Sequence, residues 1–281
     1  MGKRIICILF AFLCSTTKAF PGEKVEFSLL PMRHLIPVWS ANSTAHRISA
    51  SKIMENNNYI GSMGGAFPLI SAAQEDKVVQ VSIASTIYTQ LERPPKHLQV
   101  INVDFFVDLF VDLSLNENLA LRGGFGHTSQ HLTDDAIEIL GYGRSINYLR
   151  DYCQLFAILK AEAIKGFVYG GAYYNYKFKT QAAGKYDVPD DTPNPMIYEM
   201  GTEITPLQVG ASSFVYAGVD IKLRGEAKFG ASQNYQIGIK HVNDFGRTIR
   251  FAFNHRAGLE ERGQFFVLHN TFNTFSLYFD F

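Results

Sequence analysis

The chain has 281 residues, with 26 basic and 26 acidic side chains and a formal net charge of zero at pH 7. This balance argues against nucleic acid as a partner, because nucleic-acid-binding domains usually carry a basic surplus. The three cysteines include Cys7 and Cys14 near the start, so neither a disulfide framework nor a zinc site is expected.

The first residues are predicted to be a signal peptide, residues 1–19. Lys3 and Arg4 precede a short apolar stretch, residues 5–13, and small residues around Ala19 suit cleavage. Removing residues 1–19 takes away Lys3, Arg4 and Lys18 and no acid, which leaves 23 basic and 26 acidic side chains. Residues 20–46, which contain Pro31 and Pro37, are predicted to be a periplasmic segment or plug rather than a membrane strand.

From residue 47 onward, stretches of alternating apolar and polar residues recur between turn residues. Twelve are predicted to be strands: 47–54, 59–70, 78–90, 101–113, 118–129, 146–159, 166–178, 196–204, 214–223, 234–242, 248–255 and 275–281. The connections between them are alternately short and long, as in bacterial outer-membrane barrels. The sequence therefore predicts an all-β fold over residues 47–281, a single transmembrane antiparallel β-barrel of about twelve strands, with short periplasmic turns and long outer loops.

The last stretch, Phe275–Phe281, supports the same interpretation. Its aromatic and aliphatic residues fall on one face and its polar residues on the other, and it ends on an aromatic. Such a strand could close a barrel and, at Phe281, contact the barrel-assembly machinery. The alternative is a buried edge strand of a secreted β-sandwich. We expect the bacterial outer membrane as the location, and outer-membrane lipids and lipopolysaccharide as partners.

Charged side chains on the predicted strands should face the lumen, because a charge facing lipid is costly. The residues predicted to line the lumen are Asp104, Asp108, Asp112, Arg122, Lys222, Lys240 and Arg250. Their mixed signs favour internal cross-links or a poorly selective interior over an ion-selective channel. A narrow or plugged barrel of unknown cargo is one functional hypothesis, and neither a metal nor a cofactor is expected.

A second hypothesis comes from residues 123–135, where a glycine-rich strand enters a long outer loop. Alternation of faces along the strand places His127 and Ser129 on the lipid side, where a neutral imidazole could act as a general base for the hydroxyl. Asp134, or else Asp135 or Glu138, could orient the imidazole. The substrate would then be lipid A. The alternative is a structural role at the rim, shared with a polar group that could hold the long loop or contact lipid phosphates: Arg144, Asn147, Tyr148, Arg150 and Asp151.

Three motifs carry a family resemblance: residues 122–135, residues 146–151 and residues 262–265. Together they resemble an uncharacterised bacterial family of outer-membrane barrels, a domain of unknown function, over about residues 29–281. The resemblance implies a barrel without an established activity. Separately, His127 and Ser129 are similar to the H-x-S motif of outer-membrane lipid A 3-O-deacylases, which implies ester hydrolysis at the rim. The acidic metal motif of the twelve-stranded, calcium-dependent type is not present, so calcium is not expected.

Overall fold

The computed structural model describes residues 25–93, 98–140, 147–181, 194–261 and 265–281. The predicted signal peptide, Arg144 and Arg262 lie outside these ranges. Within them the all-β prediction is confirmed. The strands are β1 (Glu26–Leu29), β2 (Ile48–Ile53), β3 (Tyr59–Gln74), β4 (Lys77–Glu92), β5 (Gln99–Ser114), β6 (Leu119–Leu132), β7 (Asn147–Ala161), β8 (Gly166–Gln181), β9 (Met196–Gly210), β10 (Ser213–Arg224), β11 (Gly230–Val242), β12 (Thr248–Leu259) and β13 (His269–Asp280). The helix α1 (Asp134–Leu140) follows β6, and 3-10 turns occupy Glu162–Ile164 and Gly225–Ala227.

Twelve of these strands, β2 to β13, form a closed antiparallel barrel. Each pairs with the next along the chain, and β13 pairs with β2 through contacts such as Ser276 with Ser51. Closure removes the free sheet edges that would otherwise expose unpaired backbone groups. All twelve predicted strands are present, and most run a few residues longer than the alternating pattern indicated.

The two ends of the barrel differ in their connections. At one end, which we call the short-turn end, β3 and β4 are joined by residues 75–76, and β9 and β10 by residues 211–212. The other end, the long-loop end, carries α1 and the connection between β12 and β13, residues 260–268. Phe281 lies at the short-turn end, directly after β13.

Alternation along the strands separates an apolar outside from a polar inside. In β5, Asp104 and Asp112 are fully buried, whereas Phe105 and Val107 between them are 40% and 42% exposed. The pairing of β5 with β6 has no register shift, so Asp112 lies opposite Arg122 and Val107 lies opposite His127. Residues opposite each other share a face. Arg122 therefore faces the lumen, and His127 faces outward.

The strand β1 was not predicted, and it shows how the chain enters the barrel. β2 pairs with β3 only at Tyr59–Ser62, and β1 pairs with the far part of the same strand, at Ile70–Ala73. After β1 the backbone turns at Leu30, which has a φ of 48°. The following residues then pass into the lumen before β2 begins, within the range that the sequence assigned to a periplasmic segment or plug.

Candidate functional site: the filled lumen and the outer rim

Residues 34–47, which we call the lumen segment, lie inside the barrel. Trp39 stacks on Tyr169 of β8 with ring centroids 4.0 Å apart, and it also lies 4.9 Å from the ring of Phe156 of β7. Ile36 completes this buried apolar cluster. The packing anchors the segment to the wall formed by β7 and β8, because aromatic burial is among the strongest packing contributions available to a side chain.

Arg47 organises the segment from within. Its guanidinium donates hydrogen bonds to the backbone carbonyls of Ser40 at 2.9 Å and Trp39 at 3.0 Å, and to that of Asn42. The residue is 2% exposed. Arginine suits this position, since it carries five N–H donors in a fixed fork and can satisfy several carbonyls that regular structure does not pair. The backbone of the segment is thereby held in a compact loop.

His46 ties the segment to the wall formed by β4, β5 and β7. Its Nε2 lies 2.7 Å from Asp108 Oδ2, and its Nδ1 lies 3.0 Å from Thr86 Oγ1. Asp108 also accepts hydrogen bonds from the Tyr152 hydroxyl at 3.0 Å and from Gln154 Nε2 at 2.9 Å. This buried carboxylate is well satisfied, as buried charges need to be.

Lys222 of β10 joins three parts of the structure. Its Nζ donates to Glu261 Oε2 at 2.8 Å, in the connection after β12, and to Thr44 Oγ1 of the lumen segment at 3.1 Å. Asn42 of the segment donates in turn to Glu199 of β9 at 2.7 Å. Burial raises the pKa of Glu261, but the Lys222 ammonium outweighs it and lowers that pKa to about 2. The wall, the segment and the loop are therefore linked through one ammonium group.

All seven residues predicted to line the lumen point into the barrel, and several form ion pairs there. Arg122 binds both oxygens of Asp112 at 2.8 Å. Two more of the seven residues form ion pairs, Lys240 with Glu203 at 2.6 Å and Arg250 with Asp280 at 2.7 Å. Such two-pronged contacts between arginine and carboxylate fix geometry as well as charge. The two arginine pairs cross-link neighbouring strands of the wall, whereas the pair of Lys240 and Glu203 joins β11 to β9 across β10.

At the outer surface, near the long-loop end, the predicted catalytic residues have different partners from those expected. His127 Nδ1 lies 2.5 Å from Asp151 Oδ1 of β7, and Lys177 of β8 lies 3.3 Å from the same carboxylate. Ser129 Oγ bonds instead to His131 Nε2 at 2.8 Å. The expected pairing of His127 with Ser129 is thus replaced by two separate pairs, which we call the rim pairs.

Asp134, predicted to orient the histidine, starts α1 and is exposed. Sequence reasoning overlooked Asp151 as a partner of His127, because the link depends on the register between β6 and β7. It also gave no role to His131. The signal for His131 was available: it lies two residues after Ser129 and so shares its face. Of the members of the predicted polar group whose side chains the structure describes, Tyr148 and Arg150 face the lumen and Asp151 joins the rim pairs.

Two negative findings concern only the described residues. No helix among them is long and apolar enough to cross a membrane. No group of three or more His, Cys, Asp or Glu side chains there could hold a metal ion.

The fold and the lumen together define a class: a closed twelve-stranded β-barrel whose interior holds its own N-terminal segment. A family model described as "Protein of unknown function (DUF1207)" matches residues 22–281, and the chain belongs to this family. No curated protein matches the chain.

Two solved structures are similar. The translocator domain of the autotransporter NalP from Neisseria meningitidis is 10% identical, with a TM-score of 0.41, and the match covers 99% of this chain and 95% of that one. A double variant of OccD1 (OprD) is 9% identical, with a TM-score of 0.33, and the match covers 92% of this chain and 74% of that one.

Proposed function

We propose that this protein is an integral outer-membrane β-barrel whose lumen is closed by its own N-terminal segment, so that it acts as a structural barrel or a gated one rather than as an open pore. The observation that carries the proposal is the lumen segment, which is bound to the barrel wall through Trp39, Asn42 and His46.

The membrane location is supported by the distribution of apolar surface. Large apolar side chains are exposed around the barrel, including Phe251 and Phe275, whose stacked rings have centroids 6.2 Å apart. Charged side chains such as Asp104 and Arg250 are buried inside. A protein in water rarely exposes an apolar band of this extent, whereas a barrel in lipid needs one.

The lengths of the connections support an orientation of the barrel in the membrane, and with it the proposed partners. Outer-membrane barrels carry short periplasmic turns and long outer loops, so the short-turn end with Phe281 would face the periplasm. Phe281 would then be available to the barrel-assembly machinery at that side. The rim pairs would lie toward the outer leaflet, where Lys177, which is 61% exposed, could contact the phosphates of lipopolysaccharide.

Free space remains beside the lumen segment. A cavity of about 80 Å³ lies between the segment and the wall that includes Phe106, Arg122 and Tyr152. A second cavity, of about 480 Å³, lies at the short-turn mouth beside His34 and Phe281. The first cavity has room for several waters.

Conductance in planar bilayers tests this proposal. The purified full chain, inserted beside an open porin as a positive control, should give no steady conductance step while the porin does. Stable steps of porin size from most inserted molecules would refute the closed lumen. Insertion itself can be verified by protection of the barrel strands from added protease.

A second function is favoured by one observation, the hydrogen bond between Ser129 Oγ and His131 Nε2 on the outward face. A lipid A acyl-ester hydrolase would need a serine nucleophile and an adjacent base within reach of the outer leaflet. In that case His131, rather than His127, would take the serine proton. His127 and Asp151 would form a neighbouring polar pair that holds the headgroup.

Mass spectrometry of lipid A decides this second function. Cells that express the wild type should lose an ester-linked acyl chain, and cells that express Ser129→Ala or His131→Gln should keep it. Ser85→Ala is a matched control, because Ser85 is also exposed on the outer face, in β4. An acylation pattern that the wild type leaves unchanged would reject the hydrolase.

A further inference from the structure

Arg150 of β7 faces the lumen without an ion pair. Five other basic side chains of the lumen form one with a carboxylate: Arg122, Lys222, Arg224, Lys240 and Arg250. Arg150 forms no such pair in the described part of the chain, and its Nε and Nη1 are buried without a hydrogen bond there. A buried N–H group without an acceptor is costly, so these two groups call for an explanation.

The aromatic rings beside Arg150 hold its position without neutralising it. Its guanidinium carbon lies 5.2 Å from the centroid of the Tyr152 ring and 6.0 Å from that of the Tyr173 ring. Such cation–π contacts stabilise a cation weakly compared with a carboxylate. They leave the N–H groups of the guanidinium free for another acceptor.

An acid in the same region, Glu226, is already engaged by a second arginine. Its Oε1 accepts hydrogen bonds from Arg224 Nε at 2.9 Å and from the Tyr148 hydroxyl at 3.2 Å. Its Oε2 is buried without a hydrogen bond in the described part, yet it forms no ion pair with Arg150 there. Glu226 is therefore paired with Arg224 and does not neutralise Arg150.

Arg150 and Arg224 both line the cavity of about 80 Å³ described above, together with Arg122 and Lys222. The cavity has room for several waters, which is enough for one small oxyanion. Two acids also line it. Asp108 is held by His46, Tyr152 and Gln154, and Glu261 by Lys222, Ser43 and Asn234.

We propose that this cavity is a binding site for one small tetrahedral oxyanion of the phosphate type, with Arg150 as its principal ligand and Arg224 beside it. The planar fork of arginine matches the paired oxygens of such an anion. Bound phosphate supplies acceptors for Nε and Nη1 of Arg150. The site lies inside the barrel, and it depends neither on the closed-pore function nor on the rim pairs.

The test is binding of inorganic phosphate to the full chain, folded in detergent. Isothermal titration with sodium phosphate, against sodium chloride at matched ionic strength, should show saturable binding of one anion per chain. Arg150→Gln should weaken this binding at least tenfold, and Arg150→Lys should weaken it less, because it keeps the charge but loses the fork. Circular dichroism establishes that each variant keeps its β-structure.

Lys77→Gln is the matched control, since it removes an exposed basic side chain at the start of β4 rather than one in the lumen. It should bind phosphate as the wild type does. The inference is overturned if the wild type shows no saturable binding, if Arg150→Gln binds as tightly as the wild type, or if Lys77→Gln alone abolishes binding.

If Arg150→Gln fails to fold, thermal unfolding of the wild type gives an independent answer. Phosphate should then raise the unfolding temperature along a saturating curve, as any ligand specific to the folded state does. Equal effects of phosphate and chloride at matched ionic strength would overturn the inference.

Discussion

Trp39→Ala should release the lumen segment while leaving the barrel intact. Trp39 is 6% exposed, and its contacts are with Tyr169, Phe156 and the Arg122 guanidinium. Its Nε1 forms no hydrogen bond among the described residues, so the substitution removes packing alone. Replacing a buried Trp by Ala costs about 3–5 kcal/mol. At 1.4 kcal/mol for each factor of ten, the ratio of open to closed barrels should rise by roughly 100- to 4000-fold.

Single-channel recording measures this ratio as the fraction of time spent open. The matched control is Met32→Ala, which shortens an exposed apolar residue just before the same segment and should leave the open fraction unchanged. An open fraction in Trp39→Ala that equals that of Met32→Ala, with the barrel still folded, would refute the claim that Trp39 anchors the segment.

Two further predictions concern stability. Gly126→Ala should destabilise the barrel by about 1–3 kcal/mol in urea unfolding, because a Cβ there would lie 2.2 Å from Asp108 Oδ1. Gly123→Ala on the same strand is the control, and it should be almost neutral, because the Cβ would meet only a backbone oxygen at 3.9 Å. Equal losses of stability in the two variants would contradict the reasoning. Glu261 has its pKa lowered from 4.5 to about 2, so its contact with Lys222 stabilises the fold above pH 4.5, and this contribution is lost as the pH falls toward 2. The unfolding midpoint should drop over that interval, and the slope should be shallower in Glu261→Gln; identical slopes would exclude Glu261 as a cause.

The sequence was sufficient to predict the β-barrel, because side chains along a strand alternate between two faces with a period of two residues. In β5, three aspartates alternate with large apolar residues, and neither face could be exchanged for the other without placing charge in lipid. Counting in steps of two within β6, from Leu119, Leu121 and Phe125, in the same way placed His127 on the outward face, where it lies in the structure opposite Val107. Strand ends were less well predicted: β9 extends to Gly210 rather than Ile204, since beyond the apolar band the pattern no longer has to alternate.

The lumen contacts could not be derived in the same way. Arg47 was predicted as the start of a strand, yet its side chain binds carbonyls of its own segment, which no periodicity encodes. The stacking of Trp39 on Tyr169 joins residues far apart in the sequence. Likewise, the partner of His127 depends on the register between two strands, since Asp151 lies directly opposite it. The alternation along one strand determines which face a side chain occupies. The register between two strands determines which residue of the neighbouring strand it contacts.

The most direct test of the account is a disulfide between the lumen segment and the wall. A Cβ at Gly218 of β10 would lie 3.3 Å from the Cβ of Ala41, close to the separation of roughly 3.5–4.5 Å found in disulfides. In a background with Cys7→Ser, Cys14→Ser and Cys153→Ser, the double variant Ala41→Cys, Gly218→Cys should oxidise to a single intramolecular bond and leave no thiol that reacts with maleimide. Two thiols that remain free and reactive in the folded barrel would contradict the placement of residues 34–47 in the lumen.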